Sequence, residues 1–287
     1  MTLIIGILCS DGIVLGADSA ATYATNFGQS YTIKQQTSRK LQVIGQNIIL
    51  GVSGPVGLGQ SYREELETYI AGYDNVSPWS DVLGARKQLH TSLWKHAEPL
   101  WKNAETVSKT VGAQAAMQDV NHNTLIAFPV KGIPHLIGFS PQCAAEAATE
   151  SLPFVSIGSG QTAADPFLAF IRRVFWPKSL PTTADAILSA VWALEYSIHA
   201  QPSGIAKPIQ IAVLQNDPAL EIELANSMQA KNSPKLKAPR ENMSWKATHL
   251  SEDALQPHFE MIQNMERDLQ KAAKSTFESA PSTPIPT

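Results

Sequence analysis

The sequence predicts a layered α+β fold built on mainly antiparallel sheets. Three observations predict it. Apolar strand pairs recur around short turn sequences. Stretches with helical period come two at a time rather than alternating singly with strands. With 44% hydrophobic and 16% charged residues in 287, the chain has enough apolar surface for a large core plus an extension.

Taken in order, residues 2–8 and 13–18 read as a β-hairpin turning at Asp11-Gly12. Residues 19–39 are rich in Thr, Ser and Gln and read as an extended loop segment with short strands. Residues 40–45 and 48–53 form a second hairpin around Gly45-Gln46-Asn47, its second strand apolar enough for burial on both faces. After Gly54-Pro55-Val56-Gly57, the spacing of Leu58, Tyr62, Leu66 and Tyr69 predicts a helix over 58–72. The stripe Val82, Ala85, Leu89, Leu93, Ala97, Leu100 and Trp101 predicts another over 79–104. A third hairpin covers 122–130 and 134–139, followed by a strand at 153–158 and helices at 162–174 and 183–199. Ile209–Leu214 reads as a strand and Leu220–Leu224 as an alternating edge strand. This first domain spans residues 2–225. Residues 226–250 are polar and read as a linker or arm. Residues 251–275 carry the apolar stripe Leu255, Phe259, Ile262, Met265 and Leu269 and read as an amphipathic helix, docked on its own domain or on a neighbouring subunit. The Pro-rich tail 276–287 reads as disordered.

Composition narrows the function. A formal net charge of −3 gives no reason to expect a nucleic-acid partner. No run of eighteen apolar residues predicts a transmembrane helix, and the N-terminus lacks the basic flank of a signal peptide. The two cysteines, Cys9 and Cys143, form no CxxC, which fits a reducing cytoplasm. The seven histidines form no HxH or HxxxH pair, so no metal is expected. Gly57-Leu58-Gly59 lacks the rest of a dinucleotide fingerprint, and no cofactor is expected.

The chemistry concentrates at the N-terminus. Thr2 follows Met1, and removal of Met1 leaves a hydroxyl and a free α-amine on one residue. An α-amine titrates at about 7.7–8.0, low enough to accept a proton near neutral pH. It is a recognised base for an otherwise weak Thr nucleophile. Asp18 ends the second strand in Gly16-Ala17-Asp18-Ser19, and Lys40 opens the third in Arg39-Lys40-Leu41. A hairpin brings Asp18 back beside Thr2. A Lys near the hydroxyl favours the alkoxide, and a carboxylate keeps that Lys charged and oriented. Gly54, at a strand-to-helix junction, offers a backbone N–H for an oxyanion. Singly, Asp18 reads as a capping residue, Lys40 as a solvated cation and Gly54 as loop punctuation; the ordered set points to acyl transfer.

These segments resemble proteasome β-type subunits and the HslV peptidase, which are N-terminal-nucleophile (Ntn) hydrolases. The resemblance rests on Thr2, the hairpin ending Gly16-Ala17-Asp18-Ser19, the Lys40-Leu41 strand start and Gly51-Val52-Ser53-Gly54. It continues through Gly158-Ser159-Gly160 and Pro202-Ser203-Gly204 and covers about residues 2–215. Lys34 fits simple spacing from Asp18, but Lys40 fits the motif that follows, with a longer intervening stretch than the family's. The long C-terminal arm is most similar to the betaproteobacterial proteasome homologue group.

The resemblance implies a four-layer αββα sandwich with a C-terminal helical extension and threonine-type peptide hydrolysis. Thr2 is then nucleophile and base, tuned by Asp18 and Lys40. Gly54 supplies the oxyanion hole, and Ser159 and Ser203 hold the amine. Ala21, Thr22, Gln42, Val52 and Val56 fall along the substrate groove, with Val52 as an apolar pocket floor. It further implies a polypeptide substrate, a homo-oligomer of two stacked rings with about fourteen subunits in all, and an ATP-dependent unfoldase partner. One departure stands out: Ala200 replaces the family's acidic residue ahead of Ser203. That motivates an alternative, a ring shell or binding protein with weak or lost proteolysis. A further alternative keeps the chemistry on a small amide.

Overall fold

The structure is a computed structural model that describes residues 2–27, 30–111, 120–200, 204–217, 219 and 238–279. For 22–27, 30–36, 110–111 and 276–279 only the backbone is described. The chain divides into two compact units, Met1–Leu250 and Ser251–Thr287.

The first unit contains two five-stranded antiparallel sheets. One has the order β10-β1-β2-β11-β12, from Phe154–Ile157, Ile4–Leu8, Gly12–Ala17, Gln210–Asn216 and Trp245–His249. The other runs β5-β6-β7-β8-β9, from Leu41–Ile44, Ile48–Ser53, Asn123–Val130, Ile133–Phe139 and Ala145–Ala147. Strand periodicity explains how they stack. On β2, Ile13, Leu15 and Ala17 join a core with Leu41, Ile49, Leu125 and Leu136 of the second sheet. The alternate residue Gly16 lies under Ala190 and Leu194 of helix α4 (Thr183–Ala200). On β6, Ile48 and Leu50 face the other way, into a core with Leu58, Tyr62 and Leu66 of α1 (Val56–Ala71) and Leu89 and Leu93 of α2 (Val82–Val111). Helix α3 (Gln161–Phe175) packs beside α4 on the first sheet. The layers are therefore α, β, β, α, as the resemblance implied.

Helix α4 is fixed at its start by side chains from the β1–β2 turn. Asp11 accepts hydrogen bonds from the Thr183 backbone N–H at 2.8 Å and its hydroxyl at 2.9 Å. Turn and helix are thus tied, which holds the first hairpin in place.

Two segments differ from expectation. Residues 20–37 form a hairpin, β3 (Ala20–Phe27) and β4 (Ser30–Thr37), paired from Ala20↔Thr37 to Phe27↔Ser30. Its strands are rich in Thr and Tyr, good β formers without an apolar alternation to betray them. The expected arm at 226–250 contains β12, paired with β11 from Ala212↔His249 to Asn216↔Trp245. Its alternation is real but short: Trp245 and Ala247 are buried, Lys246 and Thr248 exposed. A short helix α5 (Arg240–Met243) precedes it. Asn242, fully buried, donates to the carbonyls of Ser77 at 3.2 Å and Trp79 at 2.9 Å and accepts from the Gly132 N–H at 3.2 Å. The strand expected at 220–224 and the tail 280–287 lie outside the described residues.

The second unit contains α6 (Glu252–Ser279), longer than the expected 251–275.

Candidate active site

Asp18 is fully buried at the end of β2, where its carboxylate meets four donors. Oδ1 accepts from the Leu3 N–H at 2.8 Å and from Lys40 Nζ at 2.6 Å. Oδ2 accepts from the N–H groups of Ala20 at 2.9 Å and Ala206 at 3.3 Å. A buried carboxylate is tolerable when its lone pairs are met in this way. Lys40 is only 6% exposed, and its ion pair with Asp18 is closed from bulk water. Burial pushes the Lys40 ammonium below its ordinary value, and the Asp18 charge and hydrogen bond oppose that shift.

Thr2 lies just ahead of β1, held at both ends of its peptide unit. Its backbone nitrogen donates to Ser159 Oγ at 3.2 Å. Its carbonyl accepts from the Gly160 N–H at 3.2 Å. Gly158 makes this approach possible: its φ of +96° favours glycine, and a Cβ there would run into the Thr2 carbonyl oxygen. With Met1 removed, the nitrogen facing Ser159 becomes the α-amine.

Gly54 follows β6 directly, two residues ahead of α1, with φ +119°. A Cβ would meet His122 Cβ at 2.7 Å. The neighbouring wall is fixed by buried polar pairs. His122 Nδ1 faces the Val120 carbonyl at 2.9 Å, so Nδ1 carries the proton and Nε2 accepts from the Tyr62 hydroxyl at 2.8 Å. Burial holds the His122 imidazole below its ordinary titration range, in keeping with a neutral ring.

Thr2, Lys40 and Gly54 line one cavity of about 420 Å3. Of the expected groove residues, Ala21, Gln42, Val52 and Val56 line it too. Thr22 lies on β3 opposite Gln35, and its side chain is outside the described residues. Ser203 is also outside them, although Ala206, three residues on, reaches Asp18. Lys34 sits on β4 opposite Tyr23, and it is Lys40 that meets Asp18.

Sequence reasoning missed Arg39, Gln60 and Arg63, which line the cavity, and Gln210, which binds around its base. Val56, Gln60 and Arg63 share one face of α1 at helical spacing, a pattern legible only once α1 is known to border the site. Gln210 left a fainter signal, a lone polar residue within the apolar stretch Ile209–Leu214.

Residues 2–77 match the family model for the proteasome subunit. No curated protein matches the chain. Among solved structures, Anbu (ancestral beta-subunit) from Yersinia bercovieri is similar at 18% identity and a TM-score of 0.58, over 99% of this chain and 100% of that one. Anbu from Hyphomicrobium sp. strain MC1 gives 15% and 0.57, over 99% and 100%. A structure describing the helical assembly of the Anbu complex from Pseudomonas aeruginosa gives 17% and 0.57, over 98% of both chains. The class this fold defines is the proteasome-type Ntn fold. Within the chain, the match to the proteasome subunit model lies across residues 2–77.

Proposed function

We propose that the chain is a self-compartmentalising threonine peptidase, with Thr2 as its nucleophile after loss of Met1. The observation that carries this is Lys40, paired with the buried Asp18 and lining the same cavity as Thr2, whose nitrogen faces Ser159. In the reaction, Thr2 Oγ bonds to the scissile carbonyl carbon while the α-amine takes the hydroxyl proton. Lys40 stabilises negative charge developing on Oγ, and the Gly54 N–H receives the carbonyl oxyanion. The amine then returns the proton to the leaving nitrogen as the C–N bond breaks. Water, deprotonated by the same amine, releases the acyl group from Thr2. Ser159 orients the amine, and Ser203 is assigned the same role from the sequence. Ala21 and Thr22 on β3 bind the substrate backbone as an added strand, with Gln42, Val52 and Val56 around its side chain.

The proposal extends to the assembly: a cytoplasmic homo-oligomer of two stacked rings enclosing the sites, fed polypeptide by an ATP-dependent unfoldase. Among the described residues, no helix is long and apolar enough to cross a membrane. Purified protein lacking Met1 is expected to hydrolyse peptide amides, and Thr2→Ala to abolish this with its melting temperature retained. Unchanged hydrolysis by that variant removes Thr2 from the mechanism.

One observation favours a second reading, a proteasome-like shell with weak proteolysis. Ala200 at the end of α4 has a methyl group where the family places an acid, and a methyl group cannot orient an amine. Efficient turnover by the processed protein rejects the shell; assembly without turnover supports it.

A further inference from the structure

We propose that Gln210 is the positioning residue that sets the Lys40–Asp18 pair, acting through the backbone of both partners; this rests on the peptidase reading above. Gln210 opens β11 and belongs to neither segment that carries the pair. Its side-chain amide bridges them. Oε1 accepts from the Lys40 N–H at 3.0 Å and from the Leu41 N–H at 3.4 Å. Nε2 donates to Ser19 Oγ at 2.6 Å and to the Ser38 carbonyl at 2.7 Å, with the Asp18 carbonyl at 3.4 Å. An amide has two N–H donors, and the two near acceptors use them.

The surroundings dictate which way the amide points. Backbone N–H groups can only donate, so Oε1 must face Lys40 and Leu41. The Ser38 carbonyl can only accept, so Nε2 must face it. The Ser19 hydroxyl donates to the Pro208 carbonyl at 2.6 Å, which leaves its lone pair for Nε2. A flipped amide would set donor against donor and acceptor against acceptor.

The topology makes this bridge necessary. Asp18 and Lys40 lie on either side of the β3–β4 hairpin, so covalent connection alone leaves their separation free to vary. The Ser38 N–H to Ser19 carbonyl bond, 2.8 Å, closes the hairpin base one residue after Asp18 and two residues before Lys40. Gln210 then fixes Lys40 itself, from a strand paired with β2 at Gln210↔Ala17. With that tie removed, Lys40 gains freedom to leave its buried pair and take up water.

The test compares Gln210→Leu, which removes donor and acceptor, with Gln210→Glu, which keeps the acceptor at Lys40 but loses the donor to Ser38. Two readouts are taken on the full-length protein. One is the rate of Thr2 labelling by an epoxyketone, split into inhibitor affinity and maximal rate. The other is the titration of Lys40, from its acetylation by acetic anhydride against pH in peptide mass spectrometry. Gln210→Leu is expected to lower the maximal rate about tenfold or more while affinity changes less than about threefold, since the group acts after binding. Its Lys40 titration moves upward toward the ordinary lysine value as the group gains water. Gln210→Glu falls between Leu and the native protein in rate. A Lys40 titration unmoved in both variants overturns the proposal, even with a lowered melting temperature, because Gln210 is then only structural. If the native protein neither hydrolyses peptide nor labels, the peptidase reading fails, and the Lys40 titration still decides the role of Gln210.

Discussion

At the scale of single residues, Asp18 and Lys40 show how a buried charge pair is made tolerable and what that does to pH behaviour. The four donors around Asp18 replace its hydration, whereas Lys40 loses water to the cavity wall. In the proposed mechanism Lys40 must be charged to assist Thr2, and burial lowers the pH at which it loses its proton. The α-amine must be neutral to act as base. Hydrolysis is therefore expected to rise as the amine deprotonates, at about 7.7–8.0 if unperturbed. It is expected to fall again below the ordinary lysine value of 10.5. A pH–rate profile checks this; an alkaline limb at or above 10.5 contradicts it. The sign for stability follows from the same shift. Between the folded titration of Lys40 and 10.5, the unfolded chain holds the extra proton, so this group's contribution to stability increases as pH rises. Asp18, Lys40 and Gly54 were legible because each occupies a strand end within a recognisable string of neighbours. Gln210 was not, because its partners are backbone groups far away in sequence, and backbone acceptors leave no residue-type signature.

At the scale of elements, apolar alternation made the hairpins of both sheets readable, and helical spacing did the same for α1 through α4. The β3–β4 hairpin was hidden by polar composition. Strand β12 was hidden by its short length and by the polar stretch before it. Helix α5 ahead of it is tied down by Asn242, a single buried amide serving three backbone groups. Asn242→Ala leaves the Ser77 and Trp79 carbonyls and the Gly132 N–H without that partner. A loss of about 2–4 kcal/mol in urea unfolding is expected, since each orphaned buried polar group costs about 1–3 kcal/mol. Hydrogen exchange is expected to rise first at β12. A change below about 0.5 kcal/mol would mean that the amide is readily replaced, by water for example.

At the scale of the whole molecule, the proposed homo-oligomer needs a surface to assemble through, and α3 and α4 of the first unit supply a candidate. Phe170, Val174 and Phe175 on α3 are each about half exposed, and Tyr196 on α4 is 45% exposed. Phe167 stacks on Tyr196 with ring centroids 4.4 Å apart, joining the two helices into one apolar face. A second copy covering this face is expected, because a monomer seldom leaves a patch of this kind in water. Light scattering is predicted to give a mass several times 31.1 kDa, and Phe170→Glu with Phe175→Glu to lower it. A native protein of monomer mass contradicts the assembly. Electron microscopy of the assembled protein separates closed stacked rings from an open helical arrangement, since head-to-tail contacts close in the first and not in the second. The double ring of about fourteen subunits was expected from the resemblance alone; ring size and closure depend on the angle between copies.

The proposed nucleophile is tested most directly by intact mass spectrometry of the purified protein, with and without an epoxyketone, which requires a hydroxyl and a free amine on the same residue. The expected spectrum lacks the mass of Met1 and, after treatment, gains one inhibitor mass per chain, mapped to Thr2 and absent from Thr2→Ser only if the methyl group is essential. A chain that retains Met1, or one that has lost it and acquires no label at Thr2, contradicts a threonine peptidase.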